Sequence, residues 1–441
     1  MPGPRARLLV SGDLHLGRYP SRVPPGDPAL TVEAVVRSLV DQAIERAVDA
    51  VVLTGDVADQ SNKYFEAFGV LERALHRLVD AGIPVVAVAG NHDHDVLGSV
   101  AEAVGDGVRV LGRGQVWESA SLERGGREVV RLWGWSFAGP AVHTSPLDDF
   151  PGVGDVPAVG IVHADLDAVG SRYAPVPMDA LWATGAGAWL VGHVHTPRLE
   201  TRDGRIVLVP GSLQPLDPGE PGPHGAWLVE VADDGTAAAE KLPLATVRYD
   251  ALSADLDGAQ DAVEIRERVA RALRAHADAV REEAPALRRA VVRLTLRGRT
   301  PAYRAVERVA AEVVDTADTA VGGLTVAVDR VDDQARPALD LGRLAEGSGP
   351  AATLAALALR LDAGAPSESD LALIRHGVEA LQRARRARVF EPLGRSDRLP
   401  PDLEAEAVAR LRRQTFRMLD EVVGQSPSVE PTAAPLGPAD S

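Results

Sequence analysis

Along the first 245 residues, short apolar runs alternate with stretches in which apolar positions recur every three or four residues. Five runs are apolar almost throughout and rich in β-branched residues: 7–11 (RLLVS), 50–54 (AVVLT), 84–89 (PVVAVA), 158–162 (AVGIV) and 188–191 (AWLV). A strand with one face in water alternates apolar with polar positions. These runs do not, so they read as strands buried on both faces. Between the first three lie amphipathic stretches, 31–47 and 64–81, that predict helices, and Gly82 with Pro84 stops the second. Strands alternating with helices predict an α/β sheet. Runs 129–135, 206–209 and 226–231 predict further strands, with Asp203-Gly204 as a turn signal among them.

The rhythm then changes. Residues 255–284 read as one long charged helix, followed by a strand at 290–297, a helix at 303–315 and a strand at 324–331, a small α+β unit. Beyond Pro337 the periodicity is helical, over 349–361, 367–388 and 403–423, with Pro and Gly at the breaks. The Pro-, Ala- and Ser-rich stretch 425–441 reads as a disordered tail. The pattern therefore divides the chain into an α/β domain at 1–245, an α+β unit at 250–335, a helical region at 336–424 and the tail. A chain of 441 residues exceeds what one core usually serves, which agrees with this division.

Composition adds little to the fold but narrows the chemistry. Hydrophobic residues at 45% and charged residues at 25% are ordinary for a soluble protein. No apolar run approaches the ~20 residues that span a bilayer, so no membrane role is expected. The beginning of the chain lacks the pattern of a secretory signal. Cysteine is absent, which rules out disulfides and thiolate zinc sites and leaves the cytoplasm as the expected location. The formal charge of −16 argues against capture of nucleic acid by bulk electrostatics. It does not exclude nucleic acid as substrate, because divalent cations in a carboxylate-rich site reverse the local field.

The chemistry lies just past the five buried runs. They are followed in turn by Asp13-Leu14-His15, by Gly55-Asp56-Val57-Ala58-Asp59, by Gly90-Asn91-His92-Asp93, by His163, and by Gly192-His193-Val194-His195. The C-terminal ends of parallel strands share one edge, so residues 180 positions apart would meet there. Carboxylate, amide and imidazole donors together suit manganese, iron or zinc better than magnesium or calcium. The glycines before the ligands give the chain room to turn. His193 and His195, two residues apart, would point to opposite faces within a strand. They converge only if they lie in a loop beyond its end.

This order of motifs resembles the calcineurin-like metallophosphoesterase superfamily, over about the first 230 residues. The resemblance implies a two-sheet sandwich flanked by helices and a centre of two divalent ions, manganese first, with iron or zinc as alternatives. It further implies that Asp13, His15, Asp56 and His195 hold one ion, and Asp56, Asn91, His163 and His193 the other, with Asp56 bridging. Water activated between the ions would be the nucleophile, and His92 would stabilise or protonate the leaving group. The segments Ser11-Gly12-Asp13-Leu14-His15-Leu16-Gly17 and Gly55–Asp59 are similar to the SbcD-type DNA repair exonuclease branch, as, more loosely, are Tyr173-Ala174-Pro175, Pro210-Gly211-Ser212 and the glycine-rich loop 219–225. That likeness implies a capping role for 250–335 and an SbcC-type coiled-coil ATPase docked on the helical region. It implies a DNA substrate and a homodimer as well. Two other functions fit the same motifs: a phosphomonoesterase or cyclic-nucleotide phosphodiesterase, and a regulatory subunit of an ATPase complex.

Residues beside the motifs carry weaker expectations. Asp59, Asp93 and His94 could stand behind the ligands, and His224 and Tyr19, on loops, could face substrate. His76, His276 and His376 fall in charged helical patterns and read as surface residues, and Trp133, Trp135, Trp182 and Trp189 read as core. The basic run 383–388 reads as a solvated helix face.

Overall fold

The structure is a computed structural model that describes residues 6–59, 65–315, 318–386 and 403–424. The tail expected at 425–441 and the end of the basic run 383–388 lie outside them. Contacts divide the chain into two compact units, which do not follow linear order. The first comprises Met1–Ala251, Arg274–Arg293 and Asp318–Asp329, the second Leu252–Leu273, Leu294–Ala317 and Arg330–Ser441.

The first unit is built on two mixed sheets of six strands each. One contains β1 (Ala6–Ser11), β2 (Ala50–Leu53), β3 (Val85–Ala87), β4 (Val108–Val110), β11 (Ala226–Val231) and β12 (Ala237–Leu242), in the order β12-β11-β1-β2-β3-β4. The other contains β5 (Glu118–Arg124), β6 (Arg127–Trp135), β7 (Ala158–His163), β8 (Ala188–Gly192), β9 (Arg198–Arg202) and β10 (Arg205–Val209), in the order β5-β6-β7-β8-β10-β9. Strands β1 to β4 are mutually parallel, and so are β6, β7, β8 and β10. The five ligand-bearing strands are thus shared between two sheets, three in one and two in the other.

Alternation along each strand accounts for the continuous apolar runs. Leu8, Val10, Ala50 and Val52 face the second sheet and pack with Val159, Ile161, Ala188 and Leu190. Leu9, Val51, Leu53 and Val85 face the opposite way, onto α1 (Val32–Glu45), α2 (Phe65–Asp80) and α3 (Leu97–Val104). On the far side of the second sheet, Val162, Trp189 and Val191 pack with Leu181 of α4 (Met178–Ala183). Each fully buried Val or Leu contributes about 1.5–3 kcal/mol, so four apolar layer faces form a rigid base for the loops at the strand ends. Trp135 and Trp189 are core, while Trp133 and Trp182 are only half-buried, a correction to the expectation for those two.

Several strands were not evident from pattern. β5, β9 and β12 lie at sheet edges and carry alternating or polar residues such as RLETR, which resemble loop. The turn at Asp203 and Gly204, both at positive φ, joins β9 to β10. Further strands follow: β13 (Val247–Asp255), β14 (Arg289–Arg297), β15 (Arg299–Thr300), β16 (Thr319–Val321), β17 (Leu324–Asp333) and β18 (Arg336–Pro337), with a four-stranded sheet ordered β13-β14-β17-β16. The helix expected at 255–284 starts later, as α5 (Ala262–Glu283). Gly258 at φ +72° breaks the chain first, and the Asp261 carboxylate then accepts from Val263 and Glu264 N–H groups as a cap. His276 is not a free surface residue: its Nε2 lies 3.1 Å from Asp250 Oδ2.

In the second unit, α6 (Tyr303–Asp315) precedes α7 (Leu341–Ala345), α8 (Pro350–Asp362), α9 (Glu368–Arg386) and α10 (Leu403–Gly424). Leu357, Leu361, Ile374, Leu381 and Ala407 make the small core of α8, α9 and α10. No helix among the described residues is long and apolar enough to cross a membrane.

Candidate metal centre

Backbone geometry delivers the motifs to one place. In β1 and β2, Ser11 pairs with Leu53, and in β7 and β8, His163 pairs with Gly192, so the strand ends are level within each sheet. Beyond those ends the chain turns sharply. Asp13, His15, Asp56 and His193 have φ of 47°, 46°, 50° and 93°, a region L-residues adopt at a cost of roughly 1–3 kcal/mol each. His193 and His195 lie past the end of β8, as convergence required. The first two loops run side by side, with Asp13 N–H donating to Gly55 O and His15 N–H to Asp56 O, both at 3.0 Å. Both carboxylate oxygens of Asp13 accept from the His193 N–H at 3.1 Å, tying a loop of one sheet to a loop of the other.

Gly90 comes close to the Asp56 carboxylate. A Cβ there would lie 2.1 Å from Asp56 Oδ1. Gly90→Ala should therefore displace the Asp56 carboxylate and weaken metal binding at least tenfold while leaving far-UV circular dichroism unchanged. Calorimetric titration of the variant with Mn²⁺ checks this, and wild-type affinity would show the approach to be harmless.

Among the described residues three acid–histidine groups result, one of them His15 with Asp59 and His92, and the other two are made of expected ligands. Asp13, His15 and His195 each bring a ligand atom within 4.8 Å of the others, and so do Asp56, His163 and His193. Asp56 lies between them, its Oδ2 3.4 Å from His163 Nε2 and 4.0 Å from His15 Nε2. Asn91 Oδ1 joins the second set, 3.2 Å from His163 Nε2.

Proton accounting shows that these sets suit cations. His163 Nδ1 faces Thr54 O at 3.0 Å, and a carbonyl only accepts, so Nδ1 carries a proton. His195 Nδ1 faces a carboxylate oxygen of Glu220 at 2.9 Å, with the same consequence. In the neutral rings Nε2 is then a bare lone pair. His195 Nε2 points at His15 Nε2, 3.0 Å away. His163 Nε2 points at amide and carboxylate oxygens. A neutral His15 that donates from Nε2 satisfies the contact with His195, but the His163 Nε2 lone pair facing the Asp56 carboxylate calls for a positive charge between them.

In the metal-free protein a proton takes that place. Burial works against a charge on His163, but the Asp56 carboxylate, by charge and hydrogen bond, and then Asp13 lift its pKa to about 9. Burial likewise opposes ionisation of Asp56, yet His163, His15 and His92 hold it well below the ordinary carboxylate range. Burial raises the Asp13 pKa. His193 falls to about 4, through burial and then the nearby His163 charge, and is neutral at physiological pH. A cation needs the His163 Nε2 lone pair, so loading near pH 7.5 should release at least about one proton. The sign follows from the raised pKa: apparent metal affinity should climb as pH rises and level off above about 9. Calorimetry in buffers of different ionisation enthalpy measures the proton count, and a count of zero would contradict the arrangement.

All seven residues expected as ligands therefore meet at one place. His92 stands at its rim, half-exposed, with its N–H donating to Asp56 Oδ1 at 2.9 Å and its Nδ1 3.8 Å from Asp59 Oδ2. Asp59 is buried behind, 3.3 Å from His15 Nδ1 but off hydrogen-bonding geometry, and 3.7 Å from Arg18 Nε. Asp93 is a loop staple, accepting from Val57 N–H at 2.7 Å and Gly90 N–H at 2.8 Å, with burial and then Asp56 pushing its pKa to about 7. His94 lies away from both donor sets and lines a small cavity with Gly98, Arg113 and Phe137.

Two expectations change. His224 does not face substrate: it is 1% exposed, with Nδ1 3.0 Å from both Ser212 Oγ and Ser212 O. Tyr19 is turned inward, packed on Val23, Leu30 and Tyr249, and its hydroxyl donates to Pro24 O. Sequence reading missed Asp165, whose Oδ1 is 3.7 Å from His193 Nε2, and Tyr173, whose ring centre is 4.6 Å from that of His193. It also missed Glu220. The available signal for Asp165 was its position two residues after a ligand. Glu220 gave none beyond being an acid in a glycine-rich loop.

Residues 7–234 match a family model described as the calcineurin-like phosphoesterase superfamily domain, and residues 249–336 one described as the middle domain of metallophosphoesterase YhaO. Among curated proteins, an uncharacterized metallophosphoesterase YhaO of Bacillus subtilis is 29% identical over 205 residues, 45% of this chain and 50% of that protein. The DNA double-strand break repair protein Mre11 of Haloferax volcanii is 29% identical over 277 residues, 60% of this chain and 58% of that protein. Mre11 of Saccharolobus solfataricus is 23% identical over 251 residues, 52% of this chain and 61% of that protein. The matches thus span between about half and three-fifths of those relatives' lengths. Among solved structures, a dimetal phosphatase from Danio rerio aligns at 14% identity and a TM-score of 0.34, over 52% of this chain and 94% of that one.

Proposed function

The chain belongs to the calcineurin-like phosphoesterase superfamily, and from that premise we propose that it hydrolyses phosphodiester bonds of DNA, as the nuclease subunit of a repair complex with an SbcC-type ATPase. The observation that carries the chemistry is the pair of donor sets meeting across Asp56, with His92 beside them. In this reading Asp13, His15 and His195 with Asp56 hold one divalent ion. Asn91, His163 and His193 with Asp56 hold the other. Manganese is the first choice, with iron and zinc as alternatives. Such ions, when bound, supply Lewis-acid stabilisation of phosphoryl oxygens and activation of water.

The chain's own residues do the rest. Asp56, clamped by the His92 N–H, keeps the two donor sets in register. His92 presents its ring at the open side of the centre and delivers a proton to the departing oxygen. Burial holds its pKa below the ordinary value, and the negative charge of a bound phosphodiester would raise it again. Arg18 is exposed at the rim beside Asp59. Arg172 lies over the Tyr173 ring, 5.1 Å from its centroid, and that ring packs against His193. These two guanidiniums supply local positive charge for a phosphate backbone in a protein whose total charge is −16.

The likeness to two archaeal Mre11 proteins, named for DNA double-strand break repair, supports DNA over small phosphoesters. The test is a Mn²⁺-dependent assay of the purified chain on linear duplex and single-stranded DNA, beside an aryl phosphomonoester and a cyclic nucleotide. Nucleotide release from DNA is expected. Turnover of the small esters with none on DNA would replace this reading with that of a small-molecule phosphoesterase.

A further inference from the structure

We infer that Glu220 is a positioning residue of the metal centre: its buried carboxylate holds His195 in the Nδ1-protonated form, with Nε2 turned to the ion shared with Asp13 and His15. This rests on the ligand assignment proposed above, but not on the choice of DNA as substrate.

Glu220 is 7% exposed, and both of its oxygens are engaged. Oε1 accepts from His195 Nδ1–H at 2.9 Å, and Oε2 accepts from Ser212 Oγ–H at 2.8 Å and Leu216 N–H at 3.0 Å. Ser212 is in turn backed by His224, whose Nδ1 must carry its proton because it faces the Ser212 carbonyl. A buried carboxylate is costly unless its surroundings are built for it, and here they are.

Besides the Leu216 N–H bond to Glu220, the loop is held by bonds that do not involve this side chain. Gly219 N–H donates to Asp217 Oδ1, Gly222 N–H to Tyr249 O, and Ala245 N–H to His224 O. Lys241 Nζ donates to Pro223 O at 2.8 Å. Oε2 is fixed by Ser212 and Leu216, which leaves Oε1 aimed at the imidazole. The other centrally placed ring, His163, has only a neutral carbonyl behind Nδ1. A carboxylate behind a ligating imidazole raises its basicity and fixes its orientation. The hydrogen-bonded carboxylate therefore strengthens one donor set and not the other, and its loss should weaken one ion selectively.

Glu220→Gln tests this in the full chain. An amide offers one accepting and one donating end, while His195 Nδ1–H and Leu216 N–H both donate, so neither amide orientation satisfies both sides. Mn²⁺ titration of metal-stripped protein by calorimetry should give two binding steps in the wild type. In E220Q one step should weaken about 10–100-fold and the other should stay. Glu220→Asp should recover part of that loss. The ¹⁵N spectrum of metal-free protein should report an Nδ1–H tautomer for His195 that E220Q disturbs. Unchanged binding in both E220Q and Glu220→Ala overturns the inference. So does equal weakening of both steps with a lowered melting temperature of the stripped protein, which would make Glu220 a loop-folding residue. A wild type that binds no ions overturns it together with the ligand assignment. The titration reads no hydrolysis, so failure of the DNA assay alone would count only against the substrate.

Discussion

Asp56→Asn should abolish hydrolysis, by at least about 10³-fold, roughly 4 kcal/mol of barrier, and should cost the protein at least one of its two ions. The reason is positional. Asp56 Oδ2 lies 3.4 Å from His163 Nε2 and 4.0 Å from His15 Nε2, so one oxygen serves both donor sets, while Oδ1 is fixed by the His92 N–H at 2.9 Å. An amide keeps the shape but removes the charge that offsets two cations. It also turns a donating NH₂ either toward the ligand nitrogens or toward the His92 N–H, where it meets another donor. Hydrolysis of a phosphodiester in saturating Mn²⁺, with metal content measured on the same sample, checks both halves. Near-wild-type turnover with one ion bound would remove Asp56 from its bridging place.

His92→Ala should separate chemistry from binding. Its backbone N–H, which holds Asp56, survives the substitution, so both ions should still bind with affinities near those of the wild type. Loss of a positioned proton donor costs typically 10²–10⁴-fold. That loss should appear with DNA, whose departing 3′ or 5′ oxygen is basic, and should shrink with a nitrophenyl ester, whose leaving group needs no proton. Because burial holds the His92 pKa below its ordinary value in the free protein, kcat/KM for basic leaving groups should fall with rising pH already on the acid side of the ordinary histidine range, and the variant should lack that limb. An equal loss for both leaving groups would point to positioning of the phosphate, in place of proton delivery.

Much of this centre was legible before any coordinates. Proposed ligands such as Asp13 and His193 follow buried runs directly, and strand ends are where an α/β protein gathers side chains. The period-2 spacing of His193 and His195 even dictated a loop, and β8 stops at Gly192. The illegible parts share a physical cause. Edge strands such as β9 bury little, so they carry no apolar signature. Tyr19 and His224 looked exposed because they sit in loops, yet the second loop buries His224 and the first packs a half-buried Tyr19 on Val23, Leu30 and Tyr249. Glu220 serves through distance in space, 25 residues from His195, and no local pattern encodes that.

The join between Asp13 and the His193 N–H has a wider consequence. One layer of the sandwich carries Asp13, His15, Asp56 and Asn91, and the other carries His163, His193 and His195. Donors from both layers would hold the same pair of ions, so their binding would be linked to the joining of the layers. Filling the site at a hundred times its dissociation constant would add about 2.7 kcal/mol to resistance against unfolding, borne across the interlayer seam. Chelation would therefore lower resistance to unfolding as well as remove the ions, while the apolar core between the sheets stays in place.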